Sequence, residues 1–307
     1  MGSANNSKPD KVVEVNHLHK SYAGTKAVED LSFSVNSGEI LGLIGPNGAG
    51  KSSTIKIILD FMKPDSGEVK IFGQPMNESF KNHIGYLPEE RGLYKKLAAI
   101  DLIIYFASLK GMDKATAKRK ADELLRITGL IESKKKKIKE MSKGMGQMVQ
   151  LIVTLIHDPK LIIMDEPFSG LDPVNTELMK SMIGDLRDAG KAIILSTHQM
   201  NQVEELCDRV LMVNGGREVL YGGLEEVKSG FRKHSVLVNV EGEIGDLPGV
   251  IDRKVNKDYV ELILEAETTP QIILDRIRER GISINRFEIR TPSLNEIFLN
   301  LAGANHE

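Results

Sequence analysis

Eight consecutive residues constrain this chain more than anything else in it: Gly45-Pro46-Asn47-Gly48-Ala49-Gly50-Lys51-Ser52 fits the pattern G-x4-G-K-[ST]. The pattern has meaning only between a strand and a helix, and the flanks supply both. Residues 39–44 form a short apolar run ending in glycine, as a buried central strand does. Residues 51–62 read as a helix stopped by Lys63-Pro64. Glycines let the backbone curl so that successive N–H groups converge on one phosphate cluster at the positive end of that helix. Lys51 would then reach β- and γ-phosphates, and the Ser52 hydroxyl would ligate Mg²⁺.

The rest of the chain repeats the strand-then-helix theme. Residues 12–18 and 27–35 alternate apolar and polar at strand length, and 67–72 is a further short strand. Residues 100–156 read mostly as helices. Apolar strands at 161–164, 192–196 and 210–213 are separated by helices at 173–189 and 200–206. Strands alternating with helices predict an α/β fold, a parallel sheet with helices on its faces. The composition shifts near Ser229-Gly230. Beyond it the pattern predicts strands at 235–240 and 259–264, a helix at 270–280, a strand at 284–289 and a helix at 293–301, a small α+β appendage.

Composition narrows the setting. At 307 residues with 41% hydrophobic content, one large core plus a small one is affordable. A net charge of −2 offers no global attraction to nucleic acid or an anionic membrane. The single cysteine, Cys207, cannot form an internal disulfide and suits a reducing compartment. No stretch reaches the ~18 consecutive apolar residues of a membrane span. The first residues, through Lys11, lack the apolar core of a signal peptide and read as a disordered tail.

Two further constellations complete the phosphate motif. The strand at 161–164 ends in Asp165-Glu166. At a strand's carboxyl end, Asp165 would hold Mg²⁺, directly or through water, and Glu166 would polarise an attacking water. Ser196-Thr197-His198 follows another apolar strand, which places an imidazole at the same sheet edge, where ligands of open α/β sheets collect. There His198 can contact a γ-phosphate and sense its loss.

With these elements in this order, residues 12–227 resemble the nucleotide-binding subunits of ABC transporters: a P-loop NTPase core with a helical subdomain at about 90–158, here followed by a small C-terminal α+β domain. The resemblance implies ATP and Mg²⁺ as ligands and ATP hydrolysis as the activity. It implies an ATP-binding set of Tyr22, Gly45 to Ser52 as quoted above, Ser53 and Glu89, with Tyr22 as the platform on which adenine stacks. Met141-Ser142-Lys143-Gly144-Met145 occupies the signature position, where Ser142, Lys143 and Gly144 would bind the γ-phosphate of a partner subunit. Asp172, in Gly170-Leu171-Asp172-Pro173, matches the loop through which two subunits sense each other. The implied assembly is an ATP-sandwich dimer with a second copy or a homologous subunit, under a membrane permease on another chain. The implied organisation is a tail at 1–10, a cassette at 11–229 and an accessory domain at 234–307, placed in the cytoplasm, peripheral on the inner face of the membrane. Residues 85–94 resemble the sodium-export and drug-export groups, which favours export; substrate contacts would lie on the permease.

Departures from the family pattern set further expectations. Glu89 stands where the family usually has glutamine, and a carboxylate can bind Mg²⁺ or accept from water but cannot donate as an amide does. Lys143 and Met145 replace Gly and Gln of the commonest signature, and Gly146 and Met148 replace residues that are usually polar. The expectation is a helix capped by Ser142 and running to about His157, with a weakened first turn lacking side-chain donors, hence weak dimerisation and slow turnover. The lysine run 134–137 with Lys139 has acidic neighbours at Glu132 and Glu140 and no interleaved aromatics, so it reads as a solvated helix end or loop rather than a nucleic-acid site. Two other readings remain open: a soluble ABC-type ATPase acting on DNA or ribosomes, and a nucleotide-binding regulator that never hydrolyses. The first usually needs a long insertion or two cassettes, yet only about 90 residues separate Lys51 from Ser142.

Overall fold

A computed structural model describes residues 10–90, 92–231, 234–242 and 244–303. Apart from Asp10, the expected tail lies outside the described residues. The chain divides into two compact units, residues 1–223 and 224–307.

In chain order, the first unit runs β1 (Lys11–Tyr22), β2 (Thr25–Asn36), β3 (Ile40–Ile44), α1 (Lys51–Ile58), β4 (Ser66–Ile71), β5 (Gln74–Pro75) and β6 (Ile84–Leu87). It continues through α2 (Ala99–Leu109), α3 (Lys114–Ile127), α4 (Lys143–Leu155), β7 (Leu161–Asp165), α5 (Pro173–Asp188), β8 (Ala192–Thr197), α6 (Met200–Leu206), β9 (Arg209–Asn214) and β10 (Arg217–Gly223). The expected parallel sheet exists, in the order β10-β9-β3-β8-β7-β6, with every pair parallel except β10 against β9. All residues of β3, β7 and β8 are buried, which is why these segments are apolar without alternation.

The first two strands do not join that sheet. β1 and β2 form an antiparallel pair that continues through β4 and β5 as a separate sheet. The reason lies in the connection: only Ala23 and Gly24, at φ 46° and 87°, separate them, enough for a hairpin but far too short for a parallel crossover. The alternation of β2 fits this role, with Leu31, Phe33 and Val35 buried in the core it shares with β3 and α1. β10, which the sequence reading did not resolve, returns along β9 through Gly215-Gly216, both at positive φ. The α1 helix ends at Ile58 rather than Met62, because Asp60 turns the chain at φ 58°.

The second unit comprises α7 (Leu224–Gly230), β11 (Ser235–Val240), β12 (Val250–Val255), β13 (Val260–Leu264), α8 (Pro270–Glu279), β14 (Ile284–Ile289) and α9 (Leu294–Gly303). Its sheet is antiparallel, ordered β12-β13-β11-β14. Val236, Val238, Leu262 and Leu264 bury one face against Ile273 and Ile277 of α8. That helix starts at Pro270, with Thr269 capping it. β12 escapes sequence reading because it is an edge strand whose Asp252, Arg253 and Lys254 hide its period.

One half-buried titratable group couples the first unit to pH. His157, just past α4, donates through Nε2 to the Ile84 carbonyl at 3.0 Å, and burial pushes its pKa down to about 4. The unfolded chain therefore binds a proton below its ordinary 6.5 that the folded chain refuses, so stability falls as pH drops from 6.5 towards 4. His157→Gln keeps a donor but cannot titrate. Its melting temperature should fall less steeply than that of the unmodified chain across this window; parallel slopes would show that His157 does not carry the effect.

Candidate functional site

The register of the central sheet builds the site. β8 lies between β3 and β7, pairing Thr197 with Ile44 on one side and Ser196 with Asp165 on the other. The glycine loop, the acidic pair and His198 therefore emerge side by side from the carboxyl edge of three adjacent strands. Two glycines are required by close approach. A Cβ at Gly45 would lie 2.1 Å from the Val213 carbonyl oxygen, and one at Gly50 would lie 2.2 Å from that of Ala27.

A cavity of about 310 Å³ lies elsewhere, but the chemistry collects in one of about 380 Å³ lined by loop residues Asn47 to Ser53 together with Ala27, Glu89, Asp165, Glu166 and His198. Lys51 is buried and folds back onto its own loop, its Nζ donating to the Gly45 carbonyl at 2.7 Å and the Pro46 carbonyl at 3.1 Å. Gly45 and Pro46 thus hold the lysine and do not line the cavity. Burial lowers the Lys51 pKa, while the carboxylates of Glu166, Asp165 and Glu89 oppose that shift. Tyr22 stands apart, partly exposed, with its hydroxyl donating to Met62 Sδ and lying 3.4 Å from Ser53 Oγ. Its ring carries the Lys20 ammonium 5.8 Å from the centroid.

Both acids are buried. Asp165 accepts from Ser52 Oγ at 3.4 Å. Burial, reinforced by the neighbouring Glu166 charge, raises the Asp165 pKa, with Lys51 and Ser52 pulling the other way. Glu166 adopts φ 49°, a left-handed conformation uncommon for a residue with a side chain, while its N–H donates to the Ser196 carbonyl at 2.8 Å. Its carboxylate accepts from the Thr197 hydroxyl at 3.0 Å and from the His198 backbone N–H at 3.0 Å, and His198 Nδ1 sits 2.7 Å from the same Oε1. The strained backbone thus points the carboxylate at β8, and Thr197 joins the group that the sequence reading assigned to its neighbours.

The signature residues form a second cluster. Ser142 caps α4, its hydroxyl accepting from the Met145 N–H at 3.2 Å. The Lys143 stem crosses Gly170, whose added Cβ would lie 2.4 Å from Lys143 Cε. Gly144 faces Asp172 and Asn175, each 3.6 Å from a Cβ placed there. Asp172 in turn caps α5, accepting from the Asn175 N–H at 3.0 Å. Ser142, Lys143, Gly144 and Asp172 are therefore brought together, but none of them lines the P-loop cavity.

The expected helix capped by Ser142 is present, and within it Met148 is fully buried and Gly146 is buried. The polar work falls to Gln147 and Gln150. Gln147 Nε2 donates to the Pro167 carbonyl at 3.1 Å, and Gln150 Nε2 donates to the Pro88 carbonyl at 3.0 Å. One helix thereby holds both the turn after Glu166 and the loop carrying Glu89. Two glutamines three apart on an otherwise apolar helix face were the available signal.

The fold and this edge define a P-loop nucleotide-binding protein. Residues 28–169 match the ABC transporter family, and residues 222–302 match the C-terminal domain of DrrA1-3-like ATP-binding proteins. The chain is 38% identical to the ABC transporter ATP-binding protein YhaQ of Bacillus subtilis, over 96% of this chain and 100% of that one. It is 30% identical to the Nod factor export ATP-binding protein I of Sinorhizobium fredii, over 98% and 89% of the two chains. A solved structure described as the ATP binding subunit of an ABC transporter superposes with a TM-score of 0.67 at 33% identity, covering 72% of this chain and 93% of that one. The chain belongs to the ABC transporter ATP-binding subunits. No helix among the described residues is long and apolar enough to cross a membrane.

The buried helix face gives a direct check. Met148→Leu conserves volume and should cost under about 1.5 kcal/mol. Met148→Lys, which would bury an ammonium without a partner, should cost more than about 4 kcal/mol, read by chemical denaturation. Near-equal stabilities for the two variants would mean that this face is not packed as described.

Proposed function

We propose that the chain hydrolyses ATP as one half of a two-chain sandwich and that this cycle drives a membrane permease carried on another chain. The observation that carries the reading is the separation of two complete clusters. The P-loop cavity holds Lys51, the two acids and His198, whereas the Ser142–Asp172 cluster lies outside it, available to a second copy or a homologous subunit.

The residues fit Mg-ATP. Glycine backbone supplies the phosphate cradle at the start of α1. Ser52, Asp165 and Glu89 offer the hard oxygen donors that suit Mg²⁺, and a cation would favour the charged form of Asp165 that burial disfavours. When bound, Mg²⁺ would offset the charge that develops on the transferring phosphoryl group.

The chain's own groups would then divide the work. Lys51 exchanges its two loop carbonyls for β- and γ-phosphate oxygens, which restore the charge partner that burial denies it. Glu166, already oriented by Thr197 and His198, accepts hydrogen from the attacking water. His198 is placed to contact the γ-phosphate and to register its loss at the Glu166 carboxylate. Tyr22, beside Ser53 at the cavity's edge, receives the adenine. Gln147 and Gln150 make the turn after Glu166 and the Glu89 loop move with α4, so that closure of the dimer at Ser142 reaches the segment following Glu89, residues 91–100, where the permease's cytosolic helix would dock; Arg91 itself lies outside the described residues. The export-type relative supports an exporter working from the cytoplasmic face of the membrane.

Two variants separate binding from chemistry. Mg-ATP at ~100 times its dissociation constant should stabilise the protein by about 2.7 kcal/mol, and Lys51→Ala should remove most of that shift in a thermal melt. Glu166→Gln should keep the shift while losing on the order of 10²- to 10⁴-fold in phosphate release. An intact shift in Lys51→Ala, or near-normal hydrolysis in Glu166→Gln, would overturn the corresponding assignment.

A further inference from the structure

At the edge of the second unit's sheet, residues 251–255 of β12 leave both apolar surface and charge unpartnered. Ile251 and Val255 are 66% and 79% exposed. Asp252 and Lys254 are exposed between them, and among the described residues neither is ion-paired. Arg253, at the centre, is matched by Asp246 at 3.0 Å. The opposite edge differs, because Arg286 and Glu288 of β14 are ion-paired with each other.

The alternation of an antiparallel ladder shows which backbone groups of β12 are free. Asn256 N–H donates to the Tyr259 carbonyl at 2.9 Å, closing the hairpin between β12 and β13. Counting back from that pair, Lys254 turns its N–H and C=O towards β13, whereas Arg253 and Val255 turn theirs outward. A free row of this kind invites another strand, and charged side chains on an edge normally discourage it. Here the order of the charges selects the partner. Suppose the same segment of a second copy runs antiparallel, with Arg253 opposite Arg253. Ile251 then faces Val255, Asp252 faces Lys254, and symmetry makes each contact twice. Moving the axis by one residue sets Asp252 against Asp252 or Lys254 against Lys254. A parallel, in-register pairing sets every charge against its like. Of these alignments, one alone satisfies both the charges and the apolar side chains.

We propose that β12 pairs with β12 of a second copy of this chain about a two-fold axis at Arg253, joining the two sheets edge to edge. The contact goes beyond the ATP-driven sandwich, since it needs neither nucleotide nor permease and lies wholly within the second unit. Cross-strand pairs are individually weak, so the association is reversible and charge reversal undoes it.

The test is sedimentation equilibrium of the nucleotide-free full chain over a wide range of concentration. The unmodified chain should form a reversible dimer. D252K and K254D each set like charges opposite one another twice, and each should weaken that dimer roughly 10- to 100-fold. Mixed in equal amounts, the two variants should pair again, because the bases that one carries at both positions meet the acids that the other carries there. Both positions are exposed, and unchanged far-UV circular dichroism shows that the variants are folded. A chain that stays monomeric without nucleotide overturns the proposal. So does a dimer that either variant retains at full strength, or a mixture that fails to re-form it. Hydrolysis and ATP-driven pairing are measured separately with Mg-ATP, so failure of the sandwich reading would show there and not here.

Discussion

The backbone hydrogen bonds that hold β8 between β3 and β7 set everything that follows at the nucleotide edge. Pairing Ile44 with Thr197 and Asp165 with Ser196 brings three strand ends level, so that a loop of donors, a pair of acids and an imidazole share one small cavity. A slip of one residue would move Thr197 off Ile44 and Ser196 off Asp165 and so set the three strand ends out of level. The chemistry at the edge is therefore positioned by strand pairing.

Within the cavity, charge is arranged in tension. Three carboxylates surround one buried ammonium, which lacks any anion within its own hydrogen bonds and leans on loop carbonyls instead. Burial, with the Glu166 charge added to it, raises the proton affinity of Asp165, and the left-handed backbone of Glu166 points a second carboxylate at β8. An arrangement of this kind gains when a metal–phosphate complex brings both a cation for the acids and oxygens for the lysine. Gln147 and Gln150 tie the buried face of α4 to both loops, while Ser142 lies at its exposed end.

Much of this was legible in the residues, for identifiable reasons. The glycine motif, Asp165-Glu166 and His198 each follow a purely apolar run, and that pattern fixes both the strand and the edge at which it ends. The pairing of β1 with β2 was not read from the residues, because alternation reveals a strand but not its partner. The roles of Gln147 and Gln150 were hidden because a buried amide differs from an exposed one only through its acceptors, which lie 20 and 62 residues away in sequence. The burial of Met148 was hidden too: a family pattern identifies which residue differs, not which way the side chain faces. The lysine run is the exposed loop that the residues suggest, while the backbone pairing that brings Lys95 beside it was not legible in them.

The central claim is that one chain carries two halves of two different sites, completed only by a partner. Phosphate release per subunit, followed across a wide range of protein concentration at saturating Mg-ATP, tests it most directly. The account predicts a rate per subunit that climbs with concentration and then levels off as pairs form. A rate per subunit that stays constant down to the lowest concentration, in a protein shown to be monomeric there, would contradict it.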